Sequence, residues 1–233
     1  VKIGILETGT PPEPLIPRFG AYPAMFEQLL AAPGRTFESF DVAAGVYPEQ
    51  PEALDAYVVT GSPAGVYDDL PWIEPLKRFL VAARGKAALV GVCFGHQVIA
   101  EAFGGKVVQS DRGWGVGLHI YQVRERLPWM DAAATIAVPA SHQDQVVELP
   151  PGARVVAASE FSPFGALDYG ADRAFSIQLH PEFEPPFAKA LAAIRRERLG
   201  SERTDAAIAS LDAPNDNARL GAWIGRFLDS AGS

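Results

Sequence analysis

The chain holds one cysteine, Cys93, set between two glycines in Gly91-Val92-Cys93-Phe94-Gly95, and four histidines, at 96, 119, 142 and 180. A cysteine nucleophile needs a base to form and hold its thiolate, and that base needs a third group to fix its tautomer. His180 fits best: Ala174-Phe175-Ser176-Ile177-Gln178-Leu179-His180-Pro181-Glu182 puts it just past a buried strand, with a carboxylate two residues on. Cys93, His180 and Glu182 are therefore candidates for nucleophile, base and orienting acid. Each also has a plain structural use. A lone cysteine packs as a small hydrophobe, a strand-end histidine satisfies a local carbonyl, and Glu182 suits a solvated position ahead of Pro185 and Pro186. The three features point to covalent chemistry together; none does so alone.

The surrounding elements must bring these residues to one rim. Ala88–Val92 reads as a fully buried central strand, and from Phe94 apolar residues recur at Val98, Ile99, Ala102 and Phe103, as on one helix face. A strand turning directly into a helix pushes the corner side chain outward and leaves first-turn N–H groups unpaired. Gly91 and Gly95 let neighbouring chain pass close by. If the strand over Ala174–Gln178 lies beside the central one, His180 reaches Cys93 from the shared carboxyl-end rim. Ala56–Thr60 is another buried strand, and it ends in Gly61-Ser62-Pro63, a turn whose backbone N–H groups suit an anion or oxyanion.

Elsewhere in the first half, Lys2–Leu6 and Thr36–Val42 read as strands, and Tyr22–Leu30 and Pro71–Ala83 as amphipathic helices. The proline-rich stretch Glu7–Gly20 and the polar stretch Pro48–Leu54 read as loops. Alternating strands and helices argue for an α/β fold with a mainly parallel central sheet flanked by helices. After Gly104-Gly105 come short β-prone stretches at Lys106–Gln109, Leu118–Val123, Ala134–Val138, Gln145–Leu149, Arg154–Ser159, Phe164–Tyr169 and Ala174–Gln178. Several of them form an antiparallel extension, whose strand order stays open. Phe187–Leu199 and Ala213–Leu228 read as helices, with a shorter one over Asp205–Leu211. The expectation is a single domain over residues 1–233, with a core of about residues 1–200 and a C-terminal helical extension of about 201–233.

Composition narrows the function. The 233 residues are 48% hydrophobic and 21% charged, with a net charge of −8. The isoelectric point is near 5.0. An acidic surface field repels nucleic acid and anionic membranes, and Arg195, Arg196 and Arg198, with Glu197 among them, read as a solvated helix face. One cysteine excludes an internal disulfide and any multi-cysteine metal site, and His142 with Asp144 falls short of a metal ligand set. No metal or cofactor is expected. No apolar run reaches membrane-spanning length, and Val1–Leu6 reads as a first strand and not as a signal core. Cytoplasm is the default location.

The motifs carry a family resemblance. Gly91-Val92-Cys93-Phe94-Gly95-His96-Gln97 and Gln178-Leu179-His180-Pro181-Glu182 resemble the two signature segments of class I, triad-type glutamine amidotransferase domains. Thr60-Gly61-Ser62-Pro63 resembles the family's oxyanion turn, with Ser62 where many relatives have a second glycine. Ser141-His142-Gln143-Asp144-Gln145-Val146 resembles a segment of the guanosine monophosphate synthetase type. The resemblance covers about residues 1–200 and implies a flavodoxin-like core.

By that resemblance, Cys93 is the nucleophile, His180 the base and Glu182 its orienter. The N–H groups of Ser62 and Phe94 form the oxyanion hole. Gly61, Gln97, Ser141 and His142 bind substrate, the last two through main-chain contacts. The implied activity is cleavage of the side-chain amide of glutamine, or of a γ-glutamyl compound, through a thioester. Two alternatives stand beside it, a free-standing γ-glutamyl peptidase and a catalytically silent binding or regulatory protein. The chain lacks a nucleotide-binding glycine loop, so any ammonia acceptor would be activated by a separate synthetase subunit. His96 and His119 read as packing residues, and Trp114 and the segment Arg18–Tyr22 as possible rim.

Overall fold

The computed structural model describes residues 1–230; the last three positions of the expected extension, 231–233, lie outside the described residues. In the first half, β1 (Lys2–Glu7), α1 (Ile16–Phe19), α2 (Tyr22–Leu30), β2 (Thr36–Asp41), β3 (Ala56–Val59), α3 (Ile73–Ala83), β4 (Ala88–Val92) and α4 (Phe94–Ala102) follow one another. Then come β5 (Lys106–Gln109), β6 (Gly115–Val123), β7 (Thr135–His142), β8 (Asp144–Glu148), β9 (Arg154–Ala158), β10 (Ala166–Asp168) and β11 (Ala174–Ile177). Four helices close the chain: α5 (Pro185–Ile194), α6 (Arg196–Leu199), α7 (Ser201–Ser210) and α8 (Asn217–Asp229).

Strands β2, β1, β3, β4 and β11 pair in that order and in parallel, and β10, β9, β6 and β7 continue the same sheet antiparallel. The chain thus has the α/β architecture that its sequence implies, a parallel core with an antiparallel extension. Strands β5 and β8 leave this sheet and pair with each other.

Burial explains why the central strands lack alternation. Along β4, Val90 and Val92 pack on one sheet face with Phe26 and Leu30 of α2 and Trp223 and Phe227 of α8. Leu89 packs on the other with Leu76 and Leu80 of α3 and Val98 and Ile99 of α4. A strand covered on both faces must be apolar at every position, and β4 is buried at all five.

Three sequence expectations need correction. The Glu7–Gly20 loop contains a 3₁₀ turn at Glu13–Leu15 and the short helix α1, since Pro14 and Pro17 occupy first-turn positions where a missing N–H costs nothing. The helix expected over Phe187–Leu199 is two helices that meet at Arg195. The Asp205–Leu211 helix starts earlier, at Ser201, directly after Gly200 at φ 83°.

Candidate active site

The β4–α4 corner is tight. Cys93 has φ 55° and ψ −104°, a conformation that costs a non-glycine residue roughly 1–3 kcal/mol and persists only where surrounding structure imposes it. A Cβ on Gly91 would lie 2.3 Å from the carbonyl oxygen of Gly95, and one on Gly95 would lie 2.2 Å from that of Val59. Both glycines are therefore steric requirements of the corner, as the sequence suggested. The Cys93 N–H donates to the Ile177 carbonyl at 2.9 Å, which ties the corner to the end of β11.

Because β11 pairs directly with β4, with Ile177 opposite Val92, His180 emerges at the rim where Cys93 sits. The His180 backbone N–H donates to Pro139 O at 2.8 Å. Its Nδ1 pairs with Glu182 Oε1 at 2.8 Å, and Phe183 stacks on the ring at 4.0 Å with the planes 4° apart. Burial alone would drive this imidazole neutral. Coulombic and hydrogen-bond interactions with Cys93 and Glu182 prevail and raise its pKa.

The other expected site residues gather around a cavity of about 280 Å³ that Cys93, His180, Gly61, Ser62, Gln97, Ser141 and His142 help to line. Thr8, at the end of β1, holds the turn after β3: its hydroxyl donates to the carbonyls of Thr60 and Gly61 at 3.0 and 3.1 Å. Among the described residues, neither Ser62 N–H nor Phe94 N–H donates to a protein group. Gln97 Nε2 donates to Asp144 O at 2.9 Å and to Gln178 Oε1 at 3.0 Å. Its amide hydrogens are engaged, and any contact to a ligand falls to its oxygen. Ser141 Oγ accepts from Arg195 Nη1 at 2.8 Å.

The outer wall contains two arginines that sequence reasoning assigned elsewhere, together with Trp114, a candidate for the rim. Arg195 and Arg198, expected on a solvated helix face, line the cavity, and so does Trp114. The guanidinium of Arg198 lies 4.5 Å from the centre of the Trp114 ring, and that of Arg195 lies 5.9 Å away. Tyr67 on the opposite side donates to Asp144 Oδ2 at 2.9 Å. The break in the helix at Arg195 turns this residue inward, which uninterrupted helical periodicity could not reveal.

Residues 34–190 match the protein family described as Glutamine amidotransferase class-I. The chain belongs to this family. A glutamine amidotransferase-like protein of Schizosaccharomyces pombe is 28% identical over 97% of this chain and 98% of its own length. Gamma-glutamyl peptidase 3 of Arabidopsis thaliana is 31% identical over 71% of this chain and 70% of its own. GMP synthase [glutamine-hydrolyzing] of Thermus thermophilus is 33% identical over 59% of this chain, which matches only 26% of that enzyme's length. The fold agrees with a crystal structure of a glutamine amidotransferase from Thermotoga maritima, with a TM-score of 0.78 at 17% identity over 99% of this chain and 97% of that one.

Of the remaining histidines, His96 and His119 take the packing positions expected of them, and His142, whose main chain was expected to contact substrate, also has a buried ring. His96 is buried against Ser176 Oγ at 2.7 Å, and burial lowers its pKa to about 3. His142 is equally buried, and burial with the neighbouring His119 lowers it to about 3. His119 meets the His142 and Phe161 rings edge-on. Among the described residues, no group of three or more His, Cys, Asp or Glu is gathered to hold a metal ion. No helix among them is long and apolar enough to cross a membrane.

Proposed function

We propose that the chain hydrolyses γ-glutamyl amide bonds through a thioester on Cys93, with γ-glutamyl peptides as the substrate class. The observation that carries this reading is the Cys93 corner at the end of β4, beside the buried His180–Glu182 pair at the end of β11. The Cys93 thiolate attacks the γ-carbonyl carbon, and the oxyanion is met by the N–H groups of Ser62 and Phe94. In comparable sites, removing one such donor costs roughly 3 kcal/mol of transition-state stabilisation. His180 gives its proton to the departing amine as the carbon–nitrogen bond breaks. It then takes a proton from water, whose oxygen attacks the thioester, releasing glutamate and restoring Cys93. Glu182 holds the Nδ1 proton throughout. Gln97 Oε1 accepts from the α-ammonium of the γ-glutamyl group, next to Gly61 and the main chain of Ser141 and His142.

The peptidase relatives support this choice of substrate, since they match more of this chain than the synthase does. The S. pombe relative, of matching extent, supports the chain's acting as one unit, with the core of about residues 1–200 and its helical extension together. The relation to GMP synthase favours a second reading, a glutaminase that delivers ammonia to a separate synthetase subunit. The two part on assay. Purified chain is incubated with glutamine and with γ-glutamyl dipeptides, glutamate release is followed by liquid chromatography, and Cys93→Ala is the control. Turnover of dipeptides by the isolated chain supports the peptidase; glutamine turnover that needs a partner supports the subunit. A Cys93→Ala chain with full activity excludes both.

A further inference from the structure

Fifteen residues past His180, the chain places two arginines at the cavity in a way that its other arginines do not share. Arg195, at the junction of α5 and α6, and Arg198, in α6, both line the cavity. Between them in sequence, Arg196 is paired with Asp205 Oδ1 at 2.6 Å. Among the described residues, neither Arg195 nor Arg198 forms an ion pair. The side-chain hydrogen bond of Arg195 among the described residues goes to the neutral Ser141 hydroxyl, and Arg198 rests on the face of Trp114. Among the described residues, neither acid of the cavity lies within ion-pair distance of them, although the charge of Arg198 is felt at Asp144. Asp144 takes the Tyr67 hydroxyl at 2.9 Å, and Asp68 Oδ2 takes the Gly65 N–H at 2.8 Å.

Two like charges side by side, one of them half-buried, are unfavourable without an anion. Burial lowers the pKa of Arg195; Tyr22 and Cys93 act against this, and Arg198 adds a smaller repulsion. A guanidinium stacked on indole keeps its N–H edge free and its plane fixed, which suits bidentate capture of a carboxylate. In a chain of net charge −8, the site that holds Cys93 thus carries two arginines alongside Asp68 and Asp144.

We propose that Arg195 and Arg198 form a paired carboxylate receptor that makes the cavity selective for γ-glutamyl compounds whose departing amine carries a carboxylate of its own. Glutamine offers one carboxylate; a γ-glutamyl amino acid offers two. This inference rests on the γ-glutamyl hydrolase reading and deepens it: one arginine reads the α-carboxylate of the γ-glutamyl group, and its neighbour reads that of the departing residue.

The test compares kcat/KM for γ-glutamylglycine with that for γ-glutamylglycinamide, identical except for the terminal carboxylate. The wild-type chain is expected to prefer the free acid by about tenfold or more, the scale of one charged hydrogen-bonded contact. One of the two variants, Arg195→Gln or Arg198→Gln, brings that ratio to within about twofold, while the other lowers hydrolysis of acid and amide alike. A lysine at the ratio-determining position retains part of the preference, which separates charge from packing. Equal use of acid and amide by the wild-type chain, or a ratio that survives both glutamine variants, overturns the proposal. If the wild-type chain hydrolyses neither compound, the hydrolase reading fails, and titration calorimetry with the Cys93→Ala chain decides the receptor separately. Binding of γ-glutamylglycine about tenfold tighter than its amide supports it, and equal binding or none overturns it.

Discussion

Cys93, His180 and Glu182 at the floor of the cavity stand at the ends of two hydrogen-bonded parallel strands, whereas Arg195, Arg198 and Trp114 at its outer wall come from a helix junction and the loop before β6. The floor is buried and internally bonded: a corner held by backbone contacts, a ring fixed by a carboxylate on one edge and a phenyl ring on one face. The wall is half-buried to exposed, and it is held by one hydrogen bond and two stacking contacts. Reaction chemistry tolerates displacements of well under an ångström, so it belongs where strand register sets position. Recognition of a charge at the end of a flexible substrate tolerates more, and long side chains on irregular backbone suffice.

That contrast is open to experiment, beginning at the floor. Cys93→Ala is expected to lower γ-glutamyl hydrolysis by about 10⁴-fold or more and to abolish acyl-enzyme formation, with mass spectrometry of substrate-treated chain as the readout. Glu182→Gln is expected to lower kcat by roughly 10²- to 10⁴-fold with a smaller change in KM. Because the Glu182 charge helps to raise the pKa of His180, the alkaline limb of the pH–rate profile should move to lower pH. An unmoved limb would place the control of that proton elsewhere.

Gly95→Ala probes the scaffold beneath the floor. A Cβ there meets the Val59 backbone at 2.2 Å, so a loss of about 2–3 kcal/mol in unfolding free energy is expected, read by denaturant titration. At the wall, Arg195→Ala should raise KM more than it lowers kcat, by about tenfold. The opposite split would move Arg195 from recognition to chemistry.

The histidines sharpen the comparison through pH. His96 and His142 have folded pKa values lowered to about 3, chiefly by burial, against about 6.5 in the unfolded chain. Between those values the unfolded chain binds more protons. Stability should therefore be intact above pH 6.5 and fall as pH drops toward 3, by up to about 1.4 kcal/mol per pH unit for each histidine. His180 carries the opposite sign: the proton it gains on folding contributes most at low pH and loses its effect as pH rises through the raised value. Chemical denaturation of a His96→Gln chain between pH 6.5 and 4 should show a shallower slope than wild type. An unchanged slope would mean that His96 is charged in the folded state.

The first half of the fold was largely legible. β4 and α2 run as the pattern of apolar residues indicated, and β1 and β2 differ by a single residue. Buried strands and amphipathic helices each carry a local periodicity, and Cys93 with its flanking glycines marked the corner between β4 and α4. The second half was legible as strands and not as a sheet. Nothing local in Lys106–Gln109 says that it pairs with Asp144–Glu148 apart from the main sheet. At the site, Arg195 was read as solvated because its neighbours are charged, and Thr8 passed as one polar residue in a proline-rich loop. Its hydroxyl's bonds to the Thr60 and Gly61 carbonyls reach 52 and 53 residues along the chain.

The amino-acid sequence by itself determined which residues could react and the corner that presents the cysteine, since both follow from side-chain chemistry and the steric demands of adjacent residues. The tertiary structure alone decided that β11 lies beside β4, that the pKa of His180 is raised while those of His96 and His142 are lowered, and that two arginines face the cavity. Those outcomes come from burial and from charges brought together across long stretches of chain. Electrostatic energy depends on distance in space, and chain separation does not encode it.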